Sequence, residues 1–162
     1  MARYPLQPLL SVRKYREDAA QTRLRHAERI LQEAHELLET KKKELDDYRQ
    51  WCMEEEDRRY ASIMNELLSL DDLNTFKAGL ARLGEDEVLR EEAVFKARQE
   101  RDHAKQAVLE AKEALHLAQR ETARILAHKD IWIEAERKEA ERKEDLESEE
   151  FKPLPVGTMG EV

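Results

Sequence analysis

From Leu9 to Lys152 the chain carries no proline, and the only glycines in that stretch are Gly79 and Gly84. Proline removes a helical hydrogen bond and clashes with the turn before it, and glycine weakens a helix interior through its backbone freedom. A stretch this long with almost neither, and rich in Ala, Glu, Lys, Leu and Arg, reads as long helix. The prolines stand outside it, Pro5 and Pro8 at one end and Pro153 and Pro155 at the other. Strand signals are missing: β-branched residues are few, no run alternates, and no Asn-Gly or Asp-Gly pair occurs.

Charge narrows the classes further. With 29 Lys and Arg against 37 Asp and Glu in 162 residues, the chain is too polar for an ordinary globular core. The net charge of -8 argues against nucleic acid as a partner, because that contact relies on cations meeting phosphates. Cys52 is the single cysteine, so an intrachain disulfide or a cysteine zinc site is excluded. No apolar run approaches the roughly 18 residues of a membrane helix, which speaks against direct membrane insertion. The first residues lack the apolar core of a signal peptide, and a reducing, cytosolic setting is expected.

Apolar spacing supplies the architecture. Ala20, Leu24, Ala27, Leu31, Ala34, Leu38, Lys41, Leu45, Tyr48 and Cys52 alternate steps of four and three, with Lys41 alone breaking the apolar row. This is a coiled-coil heptad. Beyond Cys52 the row reads Glu56, Tyr60, Ile63, Leu67 and Leu70, an inserted step of four that would locally unwind a supercoil. A second row runs Leu73, Phe76, Leu80 and Leu83. It is followed by Val94, Ala97, Arg101, Ala104, Val108, Ala111, Leu115, Ala118, Thr122 and Ile125. Columns of alanine on both rows favour close packing of two unlike, antiparallel helices over a parallel dimer. The expected fold is all-α, a long antiparallel two-helix coiled-coil hairpin.

Ser69 to Asn74 is the best turn candidate, with Asp72 or Asn74 as a cap. Gly84 before Glu85-Asp86-Glu87 suggests a brief break with a fresh acidic first turn. The expected layout is a first helix over 6–70, a turn region over 71–84 with a short helix and glycine breaks, a second helix over 85–150, and a flexible tail over 151–162. Each arm would be about 95 Å long at about 1.5 Å per residue, and residue 6 would lie opposite roughly residue 138. Residues 1–29 hold seven Lys/Arg and three Asp/Glu, whereas residues 130–150 hold four and ten. Antiparallel pairing sets these opposite charges side by side. Glu134 with Lys138 and Glu139 with Lys143 form a solvated i,i+4 repeat on the second arm.

Nothing in the sequence forms a catalytic, cofactor or metal constellation. His26, His35, His103, His116 and His128 include no pair at i,i+3 or i,i+4. His26 with His116, or His35 with His103, would meet only across the hairpin, and exposed flanking positions account for them more simply. There is no phosphate loop or nucleophile elbow. The chain does not read as an enzyme. Its unassigned large side chains gather at the two ends. Tyr4, Leu6, Leu9, Leu10, Val12 and Tyr15 face Ile131, Trp132 and Ile133 at one end, and Leu70, Leu73, Phe76, Leu80 and Leu83 lie at the other. End sealing and partner docking both fit these residues. Trp51 beside Cys52 reads as seam packing or as filling at the inserted step, and not as a site.

Arg3-Tyr4-Pro5-Leu6 with Pro8, Leu10 and Arg13-Lys14 resembles the start of the YscO-like (SctO) proteins of type III secretion, especially their chlamydial branch. The stretch His128-Lys129-Asp130-x-Trp132, leading into a Glu/Arg/Lys-rich helix, is similar to that branch as well. The resemblance implies a stalk protein at the cytoplasmic base of the secretion apparatus. Such a protein is similar to flagellar FliJ and, in fold, to the γ-subunit coiled coil of rotary ATPases. It implies three partners: the hexameric secretion ATPase, which it would regulate, the export-gate ring protein, and secretion chaperones. Carried over, the ATPase-facing residues are Arg3, Tyr4, Arg13, Lys14, Arg16 and Trp132, and the gate-facing residues are Phe76, Leu80 and Leu83. The heptad rows alone also fit a generic coiled-coil scaffold, a homodimeric adaptor or a secretion chaperone.

Overall fold

Two helices, α1 (Gln7–Ile63) and α2 (Leu70–Glu150), make up nearly all of the computed structural model, which describes residues 2–151. They run 57 and 81 residues, and the described residues contain no strand. The fold is the antiparallel two-helix coiled-coil hairpin that the heptad rows imply. The tail expected over 151–162 lies, but for Phe151, outside the described residues.

Local chemistry sets the helix ends. Pro8 falls in the first turn of α1, where its missing N–H has no intrahelical partner to lose. The Gln7 N–H donates to the Tyr4 carbonyl at 3.1 Å, and the Leu10 N–H to the Leu6 carbonyl at 2.9 Å. Ser69 caps α2: its Oγ accepts from the Asp72 N–H at 3.1 Å. Asp71 and Asp72 then place two carboxylates on the positive end of the helix dipole.

These ends differ from the expected layout. The connection is 64–69, not 71–84, and α2 passes through Gly79 and Gly84 without interruption. Neither glycine adopts positive φ. A helical glycine costs only about 1 kcal/mol, too little to stop a helix whose neighbours pack on both sides of it. The earlier connection also moves the register. Gln7 Oε1 accepts from Lys129 Nζ at 2.9 Å, so the region expected opposite residue 138 sits roughly two turns closer to the connection. Leu67 and Leu70, expected in the seam, are exposed because α1 stops at Ile63.

The helix pair divides into two packing units, residues 21–114 and residues 1–20 with 115 onward. In the first, Leu38, Leu45, Val94 and Ala97 form one buried cluster, and Ala27, Val108 and Ala111 another, flanked by Leu24 and Leu31. Leucines from α1 thus meet small residues from α2. Arg49 spans the seam to Glu87 at 2.9 Å and Glu91 at 2.8 Å. The Tyr48 hydroxyl donates to the Leu83 carbonyl at 2.8 Å. Burial pushes this phenol up to about 12, helped by Cys52 and Asp86 and opposed by Arg90, so it remains a neutral donor at physiological pH.

After Cys52 the buried row does not move to Glu56 and Tyr60. It continues in phase through half-buried Glu55 and Arg59, and the extra step of four falls between Arg59 and Ile63. Arg59 Nε bonds Glu55 at 3.1 Å, and a Cβ on Gly79 would stand 3.0 Å from Arg59 Nη1. Arg58 and Arg59 together hold the Glu55 carboxyl below its ordinary range. Long charged side chains can lay their apolar stems in a seam and keep their heads wet, which a search for apolar residues does not see. Tyr60 instead sits at the edge, its ring 5.4 Å from Phe76 in a T-shaped contact.

In the second unit Leu10 is fully buried, and buried Thr122 donates its hydroxyl to the Ala118 carbonyl at 3.0 Å. From Ile133 to Glu150 every residue is exposed. There the arginines take the glutamates that were expected to pair with lysines: Arg137 with Glu134 and Glu141, and Arg142 with Glu139. The guanidinium fork engages both oxygens of Glu134, at 2.7 and 3.2 Å, which a lysine cannot do. No helix among the described residues is long and apolar enough to cross a membrane.

Leu38→Ala is expected to lower unfolding stability by about 2–4 kcal/mol, and Leu109→Ala at an exposed site by less than about 0.5 kcal/mol. Urea denaturation followed by circular dichroism checks both. Gly84, where an added Cβ meets nothing within 4 Å, should gain about 0.5–1 kcal/mol on Gly84→Ala in the same assay.

Candidate functional site

The unit that holds the N-terminus is closed by aromatic residues. Tyr4 precedes the first turn of α1, and its backbone carbonyl anchors Gln7. This fixes the ring against α2, where only 6% of Tyr4 remains exposed. The Tyr4 hydroxyl and His128 Nδ1 share a hydrogen bond of 2.6 Å. The Trp132 ring meets Tyr4 edge-on with centroids 5.5 Å apart, and Lys129 Nζ stands 6.0 Å over the Tyr4 face. His128, Lys129 and Trp132 reach one ring because positions i, i+1 and i+4 flank a single helix face. Beyond Trp132 a cleft of about 480 Å³ is lined by Ala2, Ile133, Ala140 and the charged side chains of Glu136, Arg137, Glu141 and Glu144.

The cations expected at this end have different fates. Arg13 is half-buried and spends its charge on Glu121 across the seam. Arg3, Lys14 and Arg16 are exposed, and among the described residues none of them has an ion-pair partner. Tyr15 and Ile131 add exposed apolar surface in the same unit. Tyr4 is thus buried against α2, whereas Trp132 is half-buried and lines the cleft, and Arg3, Lys14 and Arg16 are exposed. Sequence reasoning missed the Arg13–Glu121 pair, because it needs the register to be known.

In the unit of residues 21–114 the gate-facing set separates as well. Phe76 and Leu80 are half-buried, with Phe76 packed on Tyr60. Leu83 is buried in the seam and cannot meet a partner while the helices are paired. Exposed apolar surface near the connection comes instead from Met64, Leu67 and Leu70. Among the described residues no group of three or more His, Cys, Asp or Glu side chains is placed to hold a metal ion.

The paired helices define the class of all-α, two-helix coiled-coil hairpins. The chain belongs to the YscO family of type III secretion proteins, whose model matches residues 6–153. Solved structures share the fold. The type III secretion protein YscO of Vibrio parahaemolyticus is 22% identical with a TM-score of 0.85, over 91% of this chain and 92% of that one. A putative YscO homologue from Chlamydia trachomatis is 27% identical with a TM-score of 0.75, over 93% of this chain and 92% of that one. Among curated proteins no relative matches significantly.

Tyr4→Phe should keep the ring packing and lose only the His128 bond, costing about 0.5–1.5 kcal/mol. Tyr4→Ala should cost about 3–5 kcal/mol, a loss that thermal melts of the two variants would separate.

Proposed function

We propose that this chain is a central-stalk component of a type III secretion apparatus. It links the cytosolic secretion ATPase hexamer to the export gate, regulates the ATPase and contacts secretion chaperones. In this reading it acts by docking and not by catalysis, at the cytoplasmic base of the apparatus. The observation that carries the reading is the group of exposed cations, Arg3, Lys14 and Arg16, beside the Tyr4–Trp132 seal in a member of the YscO family. The seal holds the segment bearing the cations against α2, which reduces the ordering cost of binding. Exposed guanidinium and ammonium groups then steer and orient an acidic partner surface. Phe76 and Leu80, extended by Met64, Leu67 and Leu70, form the surface assigned to the gate.

The test is titration of the chain into the cognate ATPase, following turnover and co-sedimentation. Lys14→Glu/Arg16→Glu should weaken binding by roughly tenfold or more, because both groups are exposed and the change leaves the seam intact. Lys105→Glu, elsewhere on α2, should leave binding unchanged. Equal losses in the two variants contradict end docking, and absence of binding by the wild-type chain removes the assignment.

A further inference from the structure

A groove in the unit of residues 21–114 concentrates guanidinium groups against aromatic rings. It measures about 550 Å³, with Gly79 and buried Leu83 in its floor and Tyr48 and half-exposed Trp51 along one wall. The rings of Tyr48 and Trp51 lie 5.7 Å apart. Arg59, Arg82 and Arg90 line it, against Asp86 as the single lining carboxylate. Arg90 is held in place, with its guanidinium carbon 3.9 Å over the Tyr48 ring and Nη1 donating to the Asp86 carbonyl at 3.3 Å. Arg59 shares Glu55 with Arg58. Arg82 is exposed and has no ion-pair partner among the described residues.

We propose that this groove docks an acidic, amphipathic helical segment of a partner protein. Carboxylates of the segment bind Arg82 and Arg59, and an apolar side chain seats on Trp51. Several features select this occupant. Three arginines line the groove against one carboxylate, and Arg82 has no ion-pair partner among the described residues, so a carboxylate-bearing surface complements it. Gly79 lets the Arg59 guanidinium lie across the floor, with Nη1 3.0 Å from where a Cβ would stand, so a cation is presented to the groove. Trp, Tyr and Arg together are the residues that dominate binding hot spots. Glu44 and Asp47 lie in a neighbouring hollow beyond Tyr48 and Trp51, so the acidic residues of the guest are directed away from that side. A free anion would leave the aromatic wall unused.

The probe is a short fluorescein-labelled amphipathic peptide of Leu and Glu, followed by fluorescence anisotropy. A twin with Gln for Glu serves as comparison. The Glu peptide should bind the wild-type chain and blue-shift Trp51 emission in a Trp132→Phe background. Arg82→Glu should weaken binding by roughly tenfold or more, while Arg101→Glu outside the groove leaves it unchanged. Circular dichroism melts identical to wild type would show that Arg82→Glu still folds. The proposal is overturned if the Gln peptide binds equally well, if Arg82→Glu binds like wild type, or if no binding is detected. Displacement of the peptide by inorganic phosphate at millimolar levels with no Trp51 shift also overturns it. Co-sedimentation of Arg82→Glu with the ATPase should match wild type, which separates this groove from the end-docking assignment.

Discussion

The interaction on which the rest depends is the packing of leucines from α1 against small residues of α2. In a two-helix fold there is no second layer, so each buried side chain carries a large share of the stability. Ala97, Ala104 and Ala111 are all buried, and their small side chains let the α2 backbone approach Leu24, Leu31 and Leu38 closely. Burial at about 25 cal/mol per Å² of apolar surface is non-directional and cannot alone choose between sliding registers. The charged residues at the margins make that choice. Arg49 with Glu87 and Glu91, and Arg13 with Glu121, fit one alignment of the helices. Each such exposed or half-exposed pair adds little energy, but a slipped register would lose several together.

The seam is most informative where it departs from apolar identity. Lys41, Glu55, Arg59 and Arg101 stand at its margin, half-buried. Thr122 is fully within it and satisfies its hydroxyl on its own helix. Arg59 has the largest effect on shape. Its guanidinium needs room above the opposite backbone, and Gly79 provides it. The same pair leaves the aromatic side of the helix pair open, where Trp51 and Arg82 line the groove. A polar residue at a core position is usually a loss of stability; here it also produces surface relief on an otherwise uniform coiled coil.

Much of this architecture is legible in the amino-acid sequence. The breaker-free interior marks the helices, the alternating steps of four and three mark the seam, and the alanine columns point to the antiparallel sense. The first and last residues of the helices are not legible to the same degree. Gly79 and Gly84 carry the composition of a break but lie inside α2, because packing outweighs about 1 kcal/mol of propensity. Ser69, at the start of the expected turn, is the cap in place of Asp72 or Asn74. A connection at 64–69 changes which residues face one another, and with it the candidate surfaces. Leu83 becomes seam and Leu67 becomes surface. Tyr4 and Trp132 are readable as an end pair, whereas the loss of Arg13 to Glu121 requires the register.

Cys52 gives the seam a built-in clock. The chain has one thiol, and it sits in the seam with 6% of its surface exposed, one helical turn from Tyr48. A water-soluble alkylating reagent can reach that sulfur only when α1 and α2 separate locally. When reclosing is fast, the labelling rate is the intrinsic thiol rate multiplied by the fraction of time the helices stand apart. The unmodified chain therefore reports its own breathing about three turns from the connection end of the seam, alone or bound to a partner, without an engineered probe.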